Sequence, residues 1–475
     1  MHDTNPKPRP LPWPCPGRTG RRARAARMAV WLAVATSGVG TARAQPPAPD
    51  GCPVFHCSSE ALGVIHATLI DAPTVVTANA ALGKLRFQGC SGDGARLGCL
   101  FSRDDAAGGE QGTLKVLDAT SLAPLWGSAS APGSYDPLAS ATSGQVPTHF
   151  ADGTLAAGDA AAEALYDAQG AVIASVALSG TGNNFGLTLL SPGRGVVSQG
   201  DGLLTLIDLD TWTVLDTLAL RDPAGGRASL VSPSSGSAGT LYAIARNARA
   251  DRGLLFAVSL DAGGRSLSTR ASFAFDGRSE ASPVVLPPAL TGRTDRLVLV
   301  HAPGLDGDLQ QRLIALADDG GDVLQPTWAV SLEAPLPVTP TVDLSSRTLF
   351  LSHRDDRRLY RHDIASGALT QVYDLQAETG LAGHLVLNGH LVAVHDGVRS
   401  TLLLSAAVDS APSGNGQYVM AFAPDSTPRL RWIERIAARA DKYTQAWNLG
   451  PSSQGSASCP IVVGSRSGIT RLCDF

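Results

Sequence analysis

Several groups of residues in this 475-residue chain have types and spacings that could do chemistry. His384, His390 and His395 crowd into GHLVLNGHLVAVHDG, where imidazoles could hold a metal or move a proton. Asn388-Gly389 between the first two signals a turn, so the trio is expected at hairpin ends rather than on one face. Asp306-Gly307-Asp308 has the opening of a calcium loop without its later ligands or bidentate glutamate, and reads as a plain turn. Two loops look better suited to a ligand. Gly180-Thr181-Gly182-Asn183-Asn184-Phe185-Gly186 sets two amides beside an aromatic ring, and Lys442-Tyr443-Thr444-Gln445-Ala446-Trp447-Asn448 sets two aromatic rings among hydrogen-bonding groups. An aromatic platform with amides suits a sugar or a peptide, so Asn183, Asn184, Phe185, Tyr443, Trp447 and Asn448 are the ligand-binding candidates. The sequence has no G-x-S-x-G elbow, H-E-x-x-H helix, phosphate loop or C-x-x-C-H haem site. No catalytic residue, metal ligand or cofactor is assigned.

The elements that must position these loops follow a repeat. Eight times an apolar strand runs into an aspartate: Asp118, Asp167, Asp208, Asp261, Asp318, Asp363, Asp425 and Asp474. Successive gaps are 49, 41, 53, 57, 45, 62 and 49, a spacing that signals a radial or solenoid array. Each copy carries several strand signals, as in PVTPTVD, RTLFLSH, RLYRHDIAS and LTQVYDL, which is the pattern of a four-stranded propeller blade. The aspartates have a structural role in this reading, because a carboxylate ending a strand can accept N–H groups of the following turn. RWIERIAARA, the one helix-like stretch, falls where a blade's last strand belongs.

The expected fold is therefore all-β: an eight-bladed β-propeller of four-stranded antiparallel blades. The eighth copy stops at its third strand, so the last blade must be closed by an N-terminal strand, for which Ala61–Ile70 (ALGVIHATLI) is the choice. The blades then run 71–129, 140–180, 183–222, 227–276, 279–334, 337–376, 382–437 and 443–475 with 54–70.

Residues 1–44 read as a signal peptide: an arginine-rich start, the apolar run MAVWLAVATSGVG, and Ala42-Arg43-Ala44 as a cleavage site. Residues 45–53 are a short linker and 54–475 a single propeller domain. The apolar run is about half of what a membrane span needs. Arg21-Arg22 leaves twin-arginine export open beside the ordinary route. Removing the eight basic residues and one acid of 1–44 takes the chain's 38 basic and 42 acidic groups to 30 and 41, a net −11. That balance argues against nucleic acid and anionic membrane surfaces as partners. An exported chain with six cysteines left, Cys52, Cys57, Cys90, Cys99, Cys459 and Cys473, is expected to form disulfides. Cys90 and Cys99 bracket one turn. Cys459 and Cys473 either pair with each other or one of them joins Cys52 or Cys57, a clasp between the chain ends that is the preferred reading.

The stretch GTLKVLDATSLAPLW resembles the repeat of the quinoprotein-like, pyrroloquinoline-quinone-type eight-bladed propellers. The resemblance covers most of 54–475 and implies that a fourth-strand tryptophan docks on the neighbouring blade. Trp126, Trp328 and Trp432 match that position, whereas Trp212 falls too early. In the family's dehydrogenases a quinone sits in the central funnel beside calcium and an adjacent-cysteine disulfide. This chain has no Cys-Cys pair. The expectation is thus an exported, monomeric, non-catalytic binding or scaffold module with a protein or carbohydrate ligand at the funnel face, located in the periplasm or outside the cell. The alternative is a quinone-dependent dehydrogenase or another propeller enzyme, a lyase or hydrolase.

Overall fold

The computed structural model describes residue 58 and the chain from 60 to 474, apart from residues 63, 67–72, 74, 80–84, 94, 105–109, 120, 127–146, 159–160, 182–183, 280, 337, 354, 388, 390, 396–397, 410–415, 438–445, 449–457 and 466–467. Among the described residues the strands gather into eight sheets. In chain order they span 85–126, 148–177, 184–219, 229–276, 284–331, 341–374, 384–437 and 446–474. Six have four strands, the fourth sheet has five and the seventh has six. In the four-stranded sheets consecutive strands pair antiparallel, as short apolar runs punctuated by tight turns dictate. The fold is all-β, a propeller of four-stranded antiparallel blades. RWIERIAARA lies largely in the outer strand Leu430–Ala437, and among the described residues helix is confined to Pro288–Thr291 and Leu375–Thr379.

Most of the recurrent aspartates do the local work that their position requires. Asp118, Asp167, Asp208, Asp261, Asp318 and Asp363 each accept N–H groups from the turn that follows, as when Asp208 bonds Asp210 and Thr211. Asp425 does not. It pairs with Arg361 of the sixth sheet instead. Asp474 ends the strand Gly468–Asp474.

Neighbouring sheets are tied where their first strands converge. At the first junction the Ser91 hydroxyl donates to the Pro147 carbonyl, at the second Thr148 donates to Leu187, and at the third Thr188 donates to Ser234. Ser235 then donates to Pro283, the Ser282 N–H donates to the Thr339 hydroxyl, and Thr341 donates to the Leu391 carbonyl. Five of these six successive junctions carry a hydroxyl-to-carbonyl bond, and at the fifth the hydroxyl accepts from a backbone N–H. A buried carbonyl at a converging edge needs a donor, and the preceding sheet supplies it. Farther out, the seventh, eighth and first sheets share one apolar cluster that includes Trp432, Ile469, Leu472, Leu97 and Leu117, so the eighth sheet packs on the first. Tryptophans fasten the outer strands. Trp126 stacks on Tyr166 of the second sheet with centroids 5.3 Å apart, and a Cβ on Gly170 would lie 2.5 Å from its ring. Trp328 lies over Gly367 of the sixth sheet in the same way. Both glycines also have positive φ (86° and 73°), which only glycine adopts at little cost. Trp212 sits in a turn and is buried in the cluster between the second and third sheets.

Two sequence expectations need correction. The strand that completes the eighth sheet is Val75–Asn79, antiparallel to the terminal strand with Val75 opposite Cys473 and Asn79 opposite Ile469. Ala61–Ile70 does not take that place. Its Val64–His66 joins the seventh sheet, parallel to Val392–His395. As a result the first sheet begins at Leu85 rather than near residue 71. Both segments are short and β-branched, and pairing register, invisible in composition, decides between them. Cys90 and Cys99 face each other across the first two strands of the first sheet and form a disulfide. Cys459 and Cys473 lie on the adjacent strands Ser458–Ser465 and Gly468–Asp474, while Cys52 and Cys57 fall outside the described residues.

Thr341→Val keeps the side chain's shape but leaves the buried Leu391 carbonyl without its donor. Urea unfolding should show a loss of about 1–3 kcal/mol. Thr370→Val, which removes an exposed hydroxyl bonded within its own sheet, should change stability by less than about 0.5 kcal/mol. Equal losses would mean that the inner belt carries no special weight.

Candidate functional site

The first strand of each propeller sheet pairs on one edge and turns the other toward the ring axis. Such an edge is a template for an added strand. Residues 58–66 use it. The chain turns at Ser58, where the Ala61 N–H donates to the Ser58 carbonyl and the Leu62 N–H to its hydroxyl. Val285 of the fifth sheet then donates its N–H to the Glu60 carbonyl at 2.9 Å, and Val342 of the sixth donates to Leu62 at 3.0 Å. Val64–His66 completes the run along the seventh sheet, with Val64 opposite Ala393 and His66 opposite His395. Ala61 and Val64 are buried. The described residues from Glu60 to His66 therefore lie along the inner edges of three successive sheets.

Glu60 sets the electrostatics of this segment. Burial pushes its carboxyl above the usual carboxylate range, and hydrogen bonds from its own backbone N–H and from the Ser237 and Ser58 hydroxyls only partly oppose that rise. The Ser237 contact extends the reach of the segment to the fourth sheet.

The loop candidates distribute differently. Asn184 opens the first strand of the third sheet and is fully buried. Its Nδ2 donates to Glu163 at 2.9 Å and its Oδ1 accepts the Gly186 N–H at 2.7 Å. Gln199, opposite Asn184 in the ladder, accepts the Gly180 N–H. This amide is thus built into the junction of the second and third sheets rather than turned toward a ligand. The half-buried Phe185 packs against the apolar cluster of the third and fourth sheets. Trp447 and Asn448 belong to Ala446–Asn448, the first strand of the eighth sheet. Asn183 and Tyr443 lie outside the described residues.

The histidines separate. His384 is exposed opposite Asp409, and His395 pairs opposite Ser400 at the far end of an interrupted inner strand, while His390 is outside the described residues. Asp306-Gly307-Asp308 is a turn: the Gly307 N–H donates to Asp276, and Asp308 pairs with Arg312. Among the described residues, no three His, Cys, Asp or Glu side chains converge as a metal-binding group.

A buried charged network that the sequence did not announce joins the fourth and fifth sheets. Arg270 donates two bonds to Asp318, and the Tyr242 hydroxyl donates a third. Burial works to raise the Asp318 carboxyl, but these donors outweigh it and hold it below the usual range. Tyr242, buried and beside a carboxylate, is pushed well above the usual phenol range.

No known protein family matches the sequence, and no curated protein resembles it. Solved structures do. A europium-containing methanol dehydrogenase aligns with a TM-score of 0.50 over 87% of this chain and 89% of its own, at 10% identity. BamB from Moraxella catarrhalis aligns at 0.41 over 70% of this chain and 96% of its own, at 16% identity. A quinohemoprotein alcohol dehydrogenase from Pseudomonas putida HK5 aligns at 0.42 over 68% and 64%, at 12% identity.

Replacing Glu60 by Gln tests the segment's setting. The raised carboxyl contributes stability that is fully present below its unfolded pKa and is lost as pH rises through the folded value. Wild-type thermal stability should therefore decline across that window relative to Glu60→Gln, and the variant should be the more stable protein at neutral pH. Parallel pH profiles would contradict a buried Glu60. At the level these likenesses reach, the chain shares its propeller fold with the methanol dehydrogenase.

Proposed function

We propose that this chain is an exported β-propeller that binds a partner and does not catalyse a reaction. In this reading residues 1–44 are a leader, 54–475 form one monomeric propeller, and each of the eight sheets is one blade of a ring closed by Val75–Asn79. The observation that carries the reading is the run of residues 58–66 along the inner edges of the fifth to seventh sheets. Against that wall the chain's own backbone takes the hydrogen-bonding edge, so the residues present do not fit a flat quinone held there. The conversion of Asn184, Glu163 and Gln199 into buried structural partners supports the same conclusion. No step through a quinone or metal is derived.

What remains accessible is the rim: loops entering the inner strands on one face and turns closing the hairpins on the other. A protein or carbohydrate ligand would meet one of these faces, in the periplasm or outside the cell. The methanol dehydrogenase of like fold defines the competing reading, quinone-dependent oxidation.

Incubation of the purified mature protein with pyrroloquinoline quinone and calcium separates the two. The expected result is no stoichiometric bound chromophore and no dye reduction with alcohols or sugars. A stoichiometric chromophore with turnover would overturn the proposal.

A further inference from the structure

In the seventh sheet Ala423 holds the turn position that aspartate holds in the other described turns, and the aspartate comes two residues later. Six recurrent aspartates bond the N–H groups of their own turns, but Asp425 reaches across to the sixth sheet. Its two oxygens accept from Arg361 Nη1 at 2.7 Å and Nη2 at 3.3 Å. Arg361 is in turn placed over the Phe350 ring. Beside this turn a cleft of about 640 Å³ opens between the sixth and seventh sheets. Topology puts it on the face opposite the loops that enter the inner strands, because its walls are turns joining first to second and third to fourth strands.

The chemistry of the lining is specific. Arg399 and Arg431, both exposed, stand on the seventh-sheet side with Ser426 and Thr427. Arg431 donates to the Ser426 hydroxyl oxygen at 2.9 Å, which leaves that hydroxyl's hydrogen to donate onward. Asp425, the carboxylate in the lining, is neutralised by its two-bond pair with Arg361. On the sixth-sheet side the Ser345 and Ser346 hydroxyls donate to the buried Asp343; Ser346 then accepts from the Thr348 hydroxyl at 2.7 Å, which leaves it one acceptor site beside those of Ser345. Val398 is the single apolar side chain in the lining, and no aromatic ring joins it.

We propose that this cleft binds a small hydroxylated molecule carrying an oxyanion, such as a sugar phosphate or a sugar acid. Guanidinium groups favour phosphate and carboxylate oxygens through paired, charge-assisted bonds. Arg399, Arg431, Ser426 and Thr427 would take the anionic end, and the lone pairs of Ser345 and Ser346 would accept from ligand hydroxyls. The cleft deepens the binding-module reading by naming a ligand class. It stands or falls separately, since binding here is independent of any quinone in the channel.

Isothermal titration of the full mature protein at low salt, with glucose 6-phosphate, galacturonate, inorganic phosphate and glucose, tests it. Glucose 6-phosphate or galacturonate should bind more tightly than both phosphate and glucose, and the affinity should fall with added salt. The double variant Arg399→Ala/Arg431→Ala should weaken binding by about tenfold or more. Thermal unfolding at the wild-type temperature would show that this variant remains folded. Should the variant not fold, the salt dependence and ligand ranking of the wild type decide the matter. Glucose binding as well as glucose 6-phosphate, no saturation by either anionic sugar, or unchanged affinity in a folded double variant would each overturn the proposal.

Discussion

The ring depends on how its inner strands approach one another. Propeller sheets fan outward, so their first strands come closest, and each brings a backbone edge into a region from which water is excluded. An unpaired carbonyl buried there costs about 1–3 kcal/mol. This chain meets the requirement with a serine or threonine hydroxyl at five of six consecutive junctions, and at the other the Thr339 hydroxyl accepts the Ser282 N–H. Two of the acceptors are prolines, Pro147 and Pro283, which present a carbonyl without bringing an N–H that would itself need a partner. Farther out the constraint relaxes, and apolar packing and tryptophan–glycine contacts suffice.

The same geometry leaves a row of free edges facing the axis, and the N-terminal part of the chain covers some of them. Residues 58–66 hydrogen-bond three sheets in succession, and a few residues later Val75–Asn79 pairs with the terminal strand. The N-terminal segment therefore serves four successive sheets, the fifth to seventh on their inner edges and the eighth on its outer edge. Closing the ring and occupying the channel wall are two consequences of one chain path.

Much of this was legible in the residues. Apolar runs ending in aspartate predict third strands, and Asp118, Asp208 and Asp363 make the turn bonds that their neighbours Ser121, Thr211 and Ser366 allow. Trp126 over Gly170 follows from the position of the tryptophan in its repeat. The closing strand was misplaced because ALGVIHATLI and VVTAN carry similar β signals, and only three-dimensional register separates them. The inner belt left no signal strong enough to read, since single serines and threonines are common and their partners lie about 40 to 60 residues away. Asn184 looked like a ligand group because an amide beside an aromatic ring has the same sequence appearance whether it faces solvent or, as here, Glu163. The cleft beside Asp425 is assembled from turns of two sheets, and no local pattern marks it.

The central claim is that the N-terminal segment is an integral part of the ring. Hydrogen–deuterium exchange followed by mass spectrometry addresses it directly. Peptides covering 58–66 and 75–79 should exchange as slowly as the terminal strand Gly468–Asp474, and the amides of Val285 and Val342 should share that protection. Exchange of 58–79 at the rate of a free peptide, with the remaining sheets still protected, would contradict the account.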